Sequence, residues 1–536
     1  MISIAEWRWR ANRRAETGTR PLERGLVLAA AAALLSRTPS LLPRSRQDRT
    51  LITTGAGLLG AASGLVAEGA IASLRRMTGG RNRAVAALTA LGAGGFAWSR
   101  RRRTVVESAV ATASEVTLAS VTAGEVALVA YELLPRQQRS TLMRRAGATA
   151  VASAPALLAV RRRLAEPRDL VKASIRYDYL ASVSGGRGSC LPVDSLDREG
   201  RKFLGNAVPA ARIAEVMGED AIGPIRVYAG LDCASEPGER ARLAVEELER
   251  LGAFERRRIV FYCPTGAGFV NPVAVEADEL LSRGDVASVV VQYGNKRALR
   301  AFKDLSRARE TWQRMLETLV EAFDGRRLEH RPELAVYGES LGAWVVAEAL
   351  ADGGPQTLTR LHIDRGALVG VPYPARVKLR RIRDSGVPLP GGVGVFGSAD
   401  ELLALPREEQ AKLRYVLLTH PEDPIGLFSG TRLVWERPEW LEPGQRHSRV
   451  PSKMRWIPGI TYVHMLFDVK NGTGGSTVFQ NYAHDYRVDV PELLRVAFGH
   501  RDVSDRQLEA IEEEVVLSAE RQARREARAR VGPVHA

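Results

Sequence analysis

Short, uninterrupted apolar runs alternate with amphipathic stretches through the last two thirds of this chain, and few folds accept that alternation. Residues 224–229 (PIRVYA), 258–262 (RIVFY), 286–293 (VASVVVQY), 333–337 (ELAVY), 367–371 and 413–419 (LRYVLLT) read as strands, and 460–467 as a further one. Residues 236–251, 273–282, 304–323 and 490–498 between and after them read as helices. A strand that is apolar on both faces must be covered on both faces. The pattern therefore implies an α/β fold, a mainly parallel sheet flanked by helices.

One pentapeptide stands where chemistry is placed in such a fold. Gly338-Glu339-Ser340-Leu341-Gly342 follows the 333–337 strand and opens an apolar helix through Leu350. A G-x-S-x-G sequence is common by chance. In a strand–turn–helix setting it reads as a nucleophile elbow, with Ser340 on a strained turn and the Leu341 N–H free to bind an oxyanion. A serine nucleophile needs a base and an acid that orients the base, and in this topology they follow in the order Ser, acid, His.

The acid-rich turn His420-Pro421-Glu422-Asp423-Pro424 lies just beyond the 413–419 strand, at the sheet edge where such folds place their sites. Asp423 is the candidate acid and Glu422 its close rival. Among His420, His447, His464 and His484, the last stands before the final helix in Asn481-Tyr482-Ala483-His484-Asp485-Tyr486 and is the candidate base. His464 sits within a run read as a strand, where a packed core histidine is expected. The second oxyanion donor is expected from Thr265-Gly266-Ala267-Gly268, through the N–H of Gly266 or Ala267. Gly391-Gly392-Val393-Gly394-Val395-Phe396-Gly397 lacks the lysine of a phosphate loop. It reads as part of a lid or a plain surface loop within residues 372–409. No cofactor or metal ligand set is visible, and Cys190, Cys233 and Cys263 show neither CxxC nor metal spacing.

The net charge of +15 belongs to the first third alone. Residues 1–168 hold 26 Arg, no Lys and 10 acidic residues, a balance of +16, and the remainder is near neutral at −1. The arginines punctuate apolar runs at 25–43, 51–74, 84–98, 104–134 and 146–160, as charges flanking membrane spans do. That placement argues against nucleic-acid binding, which calls for a basic face on a folded domain. It implies an all-α multi-pass transmembrane region of four or five spans, with the lipid bilayer as partner and a cell-membrane location. Which side the catalytic domain occupies and the oligomeric state are left open. Glu115 and Glu125 would lie deep in a span, with no role assigned. Met1 to Arg24 is polar and carries no visible cleavable signal peptide. The expected domains are 1–168, the transmembrane helical region; 169–503, the catalytic domain; and 504–536, a charged helical tail that reads as solvated or frayed.

Taken together, several of these pieces resemble a known family. Ser40-Leu41-Leu42-Pro43-Arg44, Pro264-Thr265-Gly266-Ala267-Gly268, Gln292-Tyr293, Tyr337 through Gly342, Leu418 through Pro424 and His484-Asp485-Tyr486 are similar to a bacterial two-part family that joins a multi-helix membrane region to an α/β-hydrolase domain. Ala483 stands where a glycine is expected before the histidine. The resemblance implies the α/β-hydrolase fold and a serine hydrolase with Ser340, Asp423 and His484 as its triad, and it implies no substrate. The expectation is cleavage of a carboxylic ester or thioester of an apolar or lipidic molecule through an acyl-enzyme. The competing expectation is an inert membrane scaffold or regulator with a hydrolase-like domain.

Overall fold

The computed structural model describes residues 21–58, 60–61, 182–295, 305–324, 331–354, 356–384, 392–434, 436–472 and 478–531. The chain divides into two compact units, one formed by Met1–Pro167 with Gly430–Asp468 and the other by Arg168–Ser429 with Val469–Ala536.

The second unit is built on a seven-stranded sheet: β1 (Ile225–Ala229), β2 (Arg258–Cys263), β3 (Val286–Val291), β4 (Glu333–Glu339), β5 (Arg365–Val369), β6 (Val393–Phe396) and β7 (Tyr415–Leu418). The strand order is β1-β3-β2-β4-β5-β7-β6, and every neighbouring pair runs parallel. β1, β2 and β3 are buried at every position, which is why they read as continuous apolar runs.

The helices of this unit include α1 (Ala210–Met217), α2 (Pro237–Arg250), α3 (Pro272–Leu281), α4 (Leu305–Asp324), α5 (Leu341–Gly353), α6 (Tyr373–Asp384), α7 (Val490–Ala497) and α8 (Asp505–Val531). On one face Met217, Leu280, Leu494 and Ile511, from α1, α3, α7 and α8, share a core with Tyr262, Tyr337 and Val416. On the other, Leu248, Leu316, Val345 and Ala375, from α2, α4, α5 and α6, share one with Ile259, Val289 and Val336. Each fully buried aliphatic side chain contributes roughly 1.5–3 kcal/mol by leaving water. Because all strands are parallel, their C-terminal ends lie along one edge, and the turns after β2, β4, β5 and β7 open there.

Three expectations from the sequence are corrected. Residues 460–467 are not a strand: the helix Ile460–Gly472 spans them. The glycine-rich stretch after 391 is neither lid nor plain loop. Its Val393–Phe396 segment is β6, the last strand of the sheet, paired with β7. The stretch after 504 is no detached tail. Ile511 and Val515 of α8 are buried, and Glu514 pairs with Arg212 of α1.

In the first unit a helix spans Pro21–Leu35, and a second helical stretch covers 46–58. The first has 15 residues. That is a rise of about 22 Å, short of the roughly 30 Å hydrocarbon core of a bilayer. Among the described residues no helix is long and apolar enough to cross a membrane. The expected runs at 84–98, 104–134 and 146–160, the end of the 51–74 run, Glu115 and Glu125 lie outside the described residues. Within this unit Ser40 Oγ donates to Asp468 Oδ1 at 3.0 Å, and the Leu41 N–H donates to Oδ2 at 3.2 Å.

Candidate active site

β4 ends at Glu339 and α5 begins at Leu341, so a single residue makes the turn. Ser340 has φ 57° and ψ −117°, in the left-handed half of the map where a Cβ is crowded. Such a residue stores about 1–3 kcal/mol of strain and persists only where its surroundings over-determine it. Here the surroundings are close. A Cβ on Gly342 would lie 2.2 Å from the Cys263 carbonyl oxygen, and one on Gly338 2.8 Å from the Ala343 nitrogen. Only glycines let β2, β4 and α5 converge this tightly. The Ser340 N–H donates to the Val369 carbonyl at 2.9 Å, tying the turn to the end of β5.

At that end of β5, Gly370 has φ 60°, and a Cβ there would lie 2.7 Å from Cε1 of His484. The imidazole therefore stands over Gly370, one residue past the Ser340 backbone contact. Among the described residues no hydrogen bond joins the Ser340 hydroxyl to His484. Such contacts often tighten only when substrate is bound.

Asp423 leads out of the turn after β7. It is fully buried, and its carboxylate collects three donors. Oδ1 accepts the Ile425 N–H at 2.8 Å, which caps the short helix Pro424–Leu427. Oδ2 accepts from Nδ1 of His484 at 2.7 Å and from the Tyr486 hydroxyl at 2.6 Å. A carboxylate can only accept, so Nδ1 carries the proton and Nε2 of neutral His484 keeps its lone pair. Burial pushes the Asp423 carboxyl up, but the His484 charge and the three donors outweigh it and hold it below its ordinary value. Burial pushes His484 down, and Asp423 outweighs that too, with Glu339 and Asp485 adding to a net rise.

The loop that carries His484 is itself caged by a second histidine. His420 Nδ1 donates to the Ala483 carbonyl at 2.9 Å, and Nε2 meets Asp489 Oδ2 at 3.0 Å. Its ring stacks on Tyr486 with centroids 4.2 Å apart, and its N–H donates to the Tyr486 hydroxyl at 3.1 Å. Ala483 has φ 59°, the conformation that would favour the glycine expected there. Sequence reasoning missed Tyr486, His420 and Asp489 as a unit, although Tyr486 stands two residues after the candidate base.

Glu339, beside the serine, accepts from Asn271 Nδ2 and from the Tyr337 hydroxyl, both at 2.8 Å on Oε2. Burial raises its pKa, against the pull of Asn271, His484 and Tyr337. On the facing side the Gly268 N–H closes a turn onto the Thr265 carbonyl at 2.9 Å. Gly266 and Ala267 are the central residues of this turn, so their N–H groups are not consumed by it. Tyr228 holds the turn by donating to the Gly268 carbonyl at 3.0 Å. The Leu341 N–H, at the first position of α5, has no intrahelical acceptor.

The other candidates lie elsewhere. His464 belongs to the first unit, where Nε2 meets the Ser36 carbonyl at 3.0 Å and burial lowers its pKa to about 4. His447, in the same unit, accepts the Arg449 N–H. Glu422 is buried, and it is Asp423 that meets His484. The three cysteines are unpaired thiols.

The family model described as the α/β-hydrolase family matches residues 225–511, more than half of the chain and all seven strands. No curated protein and no solved structure matches the chain. The chain belongs to the α/β-hydrolase family.

Proposed function

From that membership, we propose that the chain is a serine hydrolase that cleaves carboxylic esters or thioesters through an acyl-enzyme on Ser340. In this reading Ser340 Oγ attacks the acyl carbon while His484 Nε2 takes its proton. Asp423 holds the ring and stabilises the imidazolium. The oxyanion forms against the N–H of Leu341 and that of Gly266 or Ala267. His484 returns the proton to the departing alkoxide or thiolate. It then takes one from water, whose oxygen attacks the acyl-enzyme, releasing the acid and restoring the Ser340 hydroxyl.

One observation carries the reading. A serine held at φ 57° between strand and helix shares a sheet edge with a buried carboxylate–imidazole pair 2.7 Å apart. Strain of this kind at a half-buried polar residue has no use in packing. Phe269, on the turn that holds Gly266 and Ala267, is 40 % exposed and supports an apolar acyl group as substrate. The arginine-flanked apolar runs of the first 168 residues support attachment to a bilayer as a multi-pass protein, where such substrates dissolve.

The test is turnover of p-nitrophenyl acyl esters. Loss of turnover in a folded His484→Ala variant, with turnover kept in His464→Ala, supports the reading. Turnover that survives His484→Ala and disappears in His464→Ala overturns the assignment of the base. A folded wild-type protein inert towards every ester and thioester would support the scaffold alternative.

A further inference from the structure

We infer that Glu339 is a second carboxylate serving His484, a positioning residue that favours the imidazolium alongside Asp423; the inference rests on the serine-hydrolase reading. The placement follows from the strand. Side chains alternate along β4, so Glu339 lies on the same face as Tyr337. That face holds the core shared by Tyr337, Val369, Tyr486 and Val490, the layer from which the His484 loop reaches the sheet edge. Glu339 is paired in register with Val369, the residue before Gly370, and the His484 ring stands over Gly370.

The carboxylate is held there deliberately. Asn271 caps α3 with its Oδ1, leaving Nδ2 to donate to Glu339 Oε2, and the Tyr337 hydroxyl donates to the same oxygen. Both donors stabilise the ionised form. Against the burial that raises its pKa, they hold the carboxylate between the nucleophile turn and the start of α3 without neutralising it by a cation. The charged and titratable groups that face His484 are then Asp423 on Nδ1, Tyr486 edge-on at 5.5 Å, Asp485, and Glu339. Asp485 is engaged by Arg487 at 2.6 Å, which blunts its field. Glu339 has no such partner among its hydrogen bonds, so its charge acts on His484 more fully than that of Asp485.

The consequence is kinetic. Proton transfer from Ser340 creates the imidazolium, and a fixed negative charge beside it lowers the barrier. The experiment compares the pH profile of kcat/KM on a p-nitrophenyl ester for wild type, Glu339→Gln and Glu339→Asp. In Glu339→Gln the acidic midpoint moves down by about one pH unit and kcat falls by about tenfold. Glu339→Asp keeps the midpoint close to wild type, because the charge remains. Glu339→Ala, which removes the same charge, replaces the glutamine variant if that does not fold. A folded, active Glu339→Gln or Glu339→Ala whose midpoint is unmoved overturns the inference while leaving the hydrolase reading intact. A wild type with no turnover and no labelling of Ser340 by a fluorophosphonate removes both.

Discussion

Tyr486 and His484 share one acceptor: both donate to Oδ2 of Asp423, at 2.6 and 2.7 Å. Two donors on one oxygen fix the carboxylate plane as well as its position, and the imidazole inherits that orientation. Tyr486 also accepts the His420 N–H, so the acid, the base and the base-bearing loop form one hydrogen-bonded unit.

Tyr486→Phe tests this unit. It removes a hydrogen bond to a charged group and leaves the buried His420 N–H without its acceptor. The expected loss of stability is about 1.5–3 kcal/mol, read by chemical denaturation. kcat/KM should fall while KM changes little, because the tyrosine orients the acid and does not touch substrate. A variant as stable and as active as wild type would show that the shared acceptor is incidental.

The pH profile follows from the His484 shift. The base must be neutral to take the serine proton, and its pKa in the fold lies above the ordinary 6.5. Activity should therefore be present at high pH and lost as pH falls through a midpoint above 6.5. In Asp423→Asn the supporting charge is gone, the midpoint should drop, and kcat should fall by roughly 10³–10⁴. A wild-type midpoint below the ordinary histidine value would contradict the geometry around Nδ1.

Gly342→Ala probes the turn. The added Cβ would meet the Cys263 carbonyl at 2.2 Å, and backbone cannot rotate away as a side chain can. The variant should lose about 1–3 kcal/mol of stability through overpacking. Displacing Ser340 and the Leu341 N–H by about an ångström should cost roughly a hundredfold in kcat. Full activity in purified Gly342→Ala would mean that the turn relaxes without moving the serine.

Ala483→Gly should stabilise the fold by about 1 kcal/mol, since the native φ of 59° crowds a Cβ and glycine adopts it freely. Thermal unfolding of the two proteins side by side reads the difference. A lower midpoint for the glycine variant would show that the His420 hydrogen bond and the packing of the methyl group outweigh the strain.

The sheet was legible because its central strands are buried on both faces and so carry unbroken apolar runs such as Val289-Val290-Val291. The two misread segments lack that signature or mimic it. None of the four residues of β6 is buried, Val395 is exposed, and their glycine denies them an apolar run. The stretch from Ile460 has the β-branched and aromatic residues of a strand, yet it forms one helix with the residues up to Gly472; a short apolar run does not distinguish the two. The grouping of Gly430–Asp468 with the N-terminal residues was invisible because it depends on contacts such as Ser40 to Asp468 across more than four hundred positions. At the site, Ser340, Asp423 and His484 were candidates because of chain order and turn chemistry. The cage of His420, Tyr486 and Asp489 was not, because buried polar side chains announce their partners only once folded. Nor was the neighbourhood of Glu339, which in sequence is only the variable second residue of the pentapeptide.

The central claim is that Ser340 is a nucleophile activated by His484, and covalent labelling addresses it directly. Purified full-length protein is treated with a fluorophosphonate, digested, and the adduct located by mass spectrometry. The account predicts one phosphonylated residue, Ser340, with labelling abolished in Ser340→Ala and slowed by at least a hundredfold in His484→Ala. A folded wild-type protein that takes up no label, or labels at another residue with Ser340 unmodified, would contradict it.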